Sequence, residues 1–131
     1  MRKLYDNVKV IVSLIPAVVT GATAGSGYAD TRGYRDGMLI VTTGAVTSTG
    51  TDLYTVTVWE GDTTASMSAT SITATVGGTT AGSTTAVARI ADLNVTRKRY
   101  LQARLTVSAT TVSFAGSAVF ALGQKDSNPV N

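Results

Sequence analysis

Apolar and polar residues alternate along most of the chain, and the alternation predicts strands. Leu53 to Glu60 (LYTVTVWE) is the clearest case. Tyr54, Val56 and Val58 fall on one face, and Leu53, Thr55, Thr57 and Trp59 on the other. Both faces carry apolar bulk, as in a strand covered on both sides. Tyr100 to Ser108 (YLQARLTVS) places Leu101, Ala103, Leu105 and Val107 inward, with Tyr100, Gln102, Arg104 and Thr106 outward. Thr111 to Leu122 sets Val112, Phe114, Ala118, Phe120 and Leu122 on a shared face. Met38 to Val46 and Thr84 to Ala91 add two more strands by their β-branched content. No segment has the periodicity of an amphipathic helix.

The connections are less uniform. Gly21 to Gly37 reads as a long Gly-rich loop holding Asp30, Arg32, Tyr34, Arg35 and Asp36. A loop of that length tends to be functional or to cross a neighbour. Thr47 to Thr51 reads as a hairpin turn, and Asp92 to Thr96 turns the chain again. Gly61 to Ser83 is dominated by Thr, Ser, Ala and Gly. Within it only Ser71 to Val76 reads as a strand, and no fixed repeat period is present. Gly61 is expected to end the preceding strand and leave Asp62 in a turn. Gly123 to Asn131 is polar and reads as an extended tail, and Met1 to Asp6 as an arm.

Composition narrows the class. The 131 residues suit a single domain with one modest core. Charged residues are 15% of the chain, well under the usual quarter or so, and Thr, Ser, Gly, Ala and Val take their place. That mix disfavours helix and favours strand. The expected architecture is an all-β antiparallel β-sandwich, jelly-roll or Ig-like, of six to eight strands over residues 1–131.

The opening MRKLYDNVKVIVSLIPAVVTGATAG imitates a secretory signal, with an apolar run before Ala22-Thr23-Ala24. Asp6 and Lys9 place mixed charges where only positive ones are expected, and Pro16 interrupts the run. A strand is the better reading, with Val8, Val10, Val12 and Leu14 opposite Lys9, Ile11, Ser13 and Ile15. Pro16 should end that strand or confine it to an edge. No other stretch approaches the roughly 20 apolar residues of a membrane span, and no membrane partner is expected.

Candidate chemistry is sparse. The chain has no Cys and no His, which removes thiolate sites, the commonest general base and the commonest transition-metal ligand. Lysines sit in no Ser–Lys motif. Glu60 and Asp62 could form a carboxylate pair for glycoside hydrolysis or contribute oxygens to a cation site, but a solvated turn accounts for them better. We therefore expect no enzyme, catalytic residue, cofactor or metal. The net charge of +3 is too small to argue for nucleic acid, and no recognised nucleic-acid motif is present. Arg97, Lys98, Arg99 and Arg104 form the main basic cluster. It suits either contact with an acidic partner surface or protection of an edge strand. Trp59 reads as core or inter-sheet filler in preference to a sugar platform.

The order of motifs resembles a group of small tailed-bacteriophage virion head proteins. A strand ends in Ser13-Leu14-Ile15-Pro16-Ala17-Val18-Val19, and Asp30-Thr31-Arg32-Gly33-Tyr34 opens another. Trp59-Glu60-Gly61-Asp62 follows, then Lys98-Arg99-Tyr100-Leu101-Gln102-Ala103-Arg104-Leu105-Thr106-Val107-Ser108, and finally Ala118-Val119-Phe120-Ala121-Leu122-Gly123. Residues 63–83 depart from the pattern. The resemblance implies a non-enzymatic protein that decorates or cements the capsid exterior, assembled in the host cytoplasm. Its implied partners are the major capsid protein and neighbouring copies, with a homotrimer at local symmetry axes. Arg32, Tyr34, Arg35, Arg97, Lys98, Arg99 and Arg104 are the expected contact residues. The alternatives are a tail or neck protein, or a carbohydrate-binding module using Trp59 and the tyrosines.

Overall fold

The computed structural model describes residues 7–19, 23–47, 53–77, 84–107 and 113–125. The expected arm at 1–6, the expected hairpin turn at 47–51 apart from Thr47, and the expected tail beyond residue 125 lie outside these. Nine β segments follow one another among the described residues: β1 (Lys9–Val19), β2 (Thr23–Ala24), β3 (Ala29–Asp30), β4 (Tyr34–Thr47), β5 (Leu53–Thr63), β6 (Ser66–Gly77), β7 (Thr84–Ile90), β8 (Tyr100–Val107) and β9 (Ser113–Lys125). The first sheet runs β1-β9-β4-β7. The second runs β2-β8-β5-β6, with β3 also pairing β8. Every pairing is antiparallel, and the fold is a β-sandwich.

The core follows from alternation. Leu39, Val41, Ala88, Ile90, Ala118, Phe120 and Leu122 project inward from the first sheet. Val56, Val58, Ala74, Leu101, Ala103 and Leu105 meet them from the second. The stripes expected on β5, β8 and β9 are therefore observed at Val56, Val58, Leu101, Ala103, Leu105, Ala118, Phe120 and Leu122. Leu93, between β7 and β8, closes one end of the core.

Several boundaries differ from the sequence reading. Of the two outcomes expected at Pro16, the edge is the one observed: β1 does not end there but continues through it along the sheet edge, where a missing N–H costs no ladder bond. Register shifts at Val12/Leu14 and Leu14/Ala17 break the alternation. Val10 and Val12 therefore face solvent while Leu14 is buried, so the expected Val8–Leu14 stripe is split. The 21–37 connection is not one long loop: β2 and β3 add to the flank of β8, and β4 begins at Tyr34. Gly61 does not stop β5, which runs to Thr63 and turns at Thr64–Ala65 into β6. β6 spans Ser66–Gly77, twice the expected length. β9 continues past Leu122 to Lys125, so the polar end begins later than residue 123.

Two polar devices fix the loops to the sheets. Ser13 is fully buried. Its Oγ donates to the Gly27 carbonyl at 2.8 Å and accepts from the Ala103 N–H at 2.9 Å. The Ser13 carbonyl accepts from the Gly27 N–H at 3.0 Å. One serine thus bolts β1 of the first sheet to β8 of the second. Gly27 is required there because a Cβ would run into the Val12 carbonyl oxygen. Asn94, in the left-handed region at φ 61°, donates its amide to the carbonyls of Thr31 and Tyr34 at 2.7 and 2.8 Å. Asn tolerates that conformation better than most side chains.

Candidate functional site

The basic cluster divides between two places. Arg97, Lys98 and Arg99 sit in the connection before β8, at one end of the sandwich, and each meets a carboxylate of the same chain. Arg97 lies 3.7 Å from Glu60, and Lys98 lies 3.8 Å from Asp62. Arg99 grips Asp30 with two hydrogen bonds, at 3.2 and 2.8 Å, and lies 4.7 Å from the centroid of the Tyr100 ring. The hydrogen bonds to Asp30 are the main cause that raises the Arg99 pKa above its already high ordinary value. Arg32 adds a looser contact to Asp30 at 3.8 Å.

Edge protection does not explain these charges. β8 is an interior strand, flanked by β5 on one side and by β2 and β3 on the other. The cations instead neutralise acidic groups brought from strands far away in sequence. The carboxylate pair is divided in the same way. Glu60 has 15% of its side chain exposed, faces Arg97 and accepts the Lys98 N–H at 3.3 Å. Asp62 has 79% of its side chain exposed and faces the Lys98 ammonium. Each carboxylate is engaged by its own cation. Among the described residues, no group of three or more acidic side chains is placed to hold a metal ion.

Tyr34 is half-buried and packs against the core. Arg35 is exposed, with its carbonyl accepting from the Leu93 N–H at 2.9 Å.

Arg104 occupies a different region, the outer face of the second sheet. Strand alternation puts Thr55, Thr57 and Trp59 of β5 on that face, beside Gln102, Arg104 and Thr106 of β8. Trp59 is therefore not inter-sheet filler. Its ring is half-buried beneath the Arg104 guanidinium, which lies 3.8 Å from the ring centroid. Arg104 Nε donates to Gln102 Oε1 at 2.8 Å, and Gln102 Nε2 donates to the Gly25 carbonyl at 2.6 Å. Gln102 is only 3% exposed although it points away from the core. The edge segment around Gly25 and the Arg104 side chain account for its burial.

The outer face of the first sheet is apolar, which the sequence reading missed. One row crosses all four strands: Val12, Val119, Ile40 and Val87. The next row is Val10, Ala121, Met38 and Arg89. Val12 is 46% exposed and Val87 60%. A polar row follows, Ser117, Thr42 and Thr85, with Thr42 and Ser117 hydroxyls 2.8 Å apart. The signal lay in strands apolar on both faces, such as Met38 to Val41, where Leu39 and Val41 are buried beside half-exposed Met38 and Ile40.

No protein-family model matches the chain, and no curated protein does. Among solved structures, the chain is similar to the carbohydrate-binding region of endo-1,4-β-D-xylanase 10B of Clostridium thermocellum, solved as CBM22-1 and GH10 modules with xylohexaose. The TM-score is 0.55 at 16% identity, over 95% of this chain. The chain spans 25% of the length of that xylanase chain. At this identity the likeness establishes the sandwich fold.

Proposed function

We propose that this is a non-enzymatic virion structural protein, which decorates or cements a phage capsid by seating the outer face of its first sheet on the major capsid protein. The observation that carries the reading is the apolar surface spanning Val10, Val12, Met38, Ile40, Val87, Val119 and Ala121. With strands about 4.8 Å apart and a two-residue repeat near 6.7 Å, it covers roughly 250 Å² in plan. A monomer's largest apolar patch is commonly about that size and is often functional. It is well below the roughly 800 Å² per partner of a stable two-body complex. Such a surface fits a lattice, where contacts with capsid protein and with neighbouring copies act together. Three copies at a local symmetry axis of the capsid exterior, assembled in the host cytoplasm, are the arrangement that the resemblance to phage head proteins implies.

Mass spectrometry of purified particles tests this reading. The chain is expected in many copies per particle. A few copies would move it to the neck or tail, and none would refute it.

A second reading, a carbohydrate-binding module, is favoured by the outward position of Trp59 and by the fold shared with a xylanase module solved with xylohexaose. A glycan array tests it: saturable binding supports the second reading, and a blank array counts against it.

A further inference from the structure

We propose that the outer face of the second sheet is a binding surface for an acidic saccharide, with Arg104 as the residue that reads its carboxylate. The proposal rests on the second reading above for the class of ligand. The anionic group and the residue that recognises it are what it adds.

Arg104 differs from the other three cations of its cluster. Arg97, Lys98 and Arg99 each face a carboxylate. Arg104 faces an aromatic ring and a neutral amide. Its Nε is used by Gln102, and its two terminal nitrogens have no acceptor among the described residues. The guanidinium is nevertheless held in place. Trp59 supports its flat face, while the chain of bonds from Arg104 to Gln102 to the Gly25 carbonyl fixes its rotation. Gln102 is nearly inaccessible, so water does not compete for those bonds. A pinned guanidinium with two unengaged terminal nitrogens matches the two oxygens of a carboxylate, and little side-chain entropy remains to be lost on binding.

The surroundings favour a saccharide over an acidic protein surface. Two cross-strand rows flank the site: Thr106, Thr55 and Thr75, then Arg104, Thr57 and Thr73. The third row is Gln102, Trp59 and Ala69. Thr73, Thr75 and Thr106 are exposed. No carboxylate lies in these rows, so an incoming anion meets no like charge. Hydroxyls in rows suit a polyhydroxylated chain, whereas protein hot spots are centred on buried apolar anchors. The site lies on the sheet opposite the apolar face, so both surfaces can be occupied at once.

Trp59 is the sole tryptophan, so its fluorescence reports on the site in the unaltered chain. The experiment titrates the full-length protein with oligogalacturonate, with a neutral xylo-oligosaccharide of equal length, and with oligoglutamate. Saturable quenching or a spectral shift is expected with oligogalacturonate, weakening as salt is raised. Arg104→Gln is expected to weaken it about tenfold or more, and Arg104→Lys by less. Equal binding of the neutral saccharide, unaffected by Arg104→Gln, would overturn the acidic assignment and leave the carbohydrate reading standing. Equal response to oligoglutamate would overturn the saccharide assignment. No response of Trp59 to any of the three probes, together with a blank glycan array, would overturn both. The titration of the unaltered chain decides the matter even where a variant fails to fold.

Discussion

The two outer faces of this sandwich are built by the same alternation but carry opposite chemistry. On the first sheet, Val12, Val119, Ile40 and Val87 form an apolar row across four strands. On the second, threonines surround a tryptophan capped by an arginine. Each sheet buries its inner residues equally well, so the difference is not needed for folding. In the reading proposed above, it lies in what each sheet offers to something outside the chain. Removing side chains from the core should therefore cost stability, while removing them from the outer faces should cost binding.

The sharpest form of that contrast lies at two adjacent residues. Phe120→Ala should lower stability by about 3–5 kcal/mol, through lost burial and the cavity left behind. Val119→Ala, one residue away on the outer face, should cost about 1 kcal/mol or less. Urea denaturation followed by Trp59 fluorescence measures both. Similar losses at the two positions would erase the distinction between inner and outer faces.

Ser13→Ala comes next. It leaves the buried Ala103 N–H without its acceptor and removes a link between the sheets, for an expected loss of about 1–3 kcal/mol. A change below about 0.5 kcal/mol would mean that the bolt is not structural.

Reversing the basic cluster tests the charged end. Arg97→Glu with Arg99→Glu places new carboxylates against Glu60 and Asp30. A modest loss of stability is expected in the isolated protein, shrinking as salt is raised, since these pairs are partly exposed. No loss in isolation would return the cluster to a role at a partner surface.

The smallest effect on stability belongs to the apolar row. Val12→Thr with Val87→Thr keeps the β-branched shape and should change stability by about 0.5 kcal/mol or less. The same pair should markedly reduce occupancy of capsids. Full occupancy would remove the main support for the docking surface.

These contrasts also mark how far the residues alone could be read. Val56, Val58, Leu101, Ala103, Leu105, Phe120 and Leu122 were legible because bulky apolar residues alternate with polar ones. β6 was half-hidden because Ser, Thr and Ala give little contrast between faces. The β1 stripe was misassigned because the register shift after Val12 turns the following residues to the other side. The ion pairs were invisible for another reason: Asp30 and Arg99 are 69 residues apart, and only the folded sheets bring them together. Trp59 shows the limit of residue type as a guide. Its size suggested filler, and its position on the outer face depends on Val58 claiming the inner one.

The central claim is that the outer face of the first sheet is a seat for a partner. A cryo-EM map of the intact particle tests it most directly. The account predicts density for this chain on the capsid exterior, with Val12, Ile40, Val87 and Val119 covered by capsid protein or by a neighbouring copy. A particle without this chain, or with that face open to solvent, would contradict it.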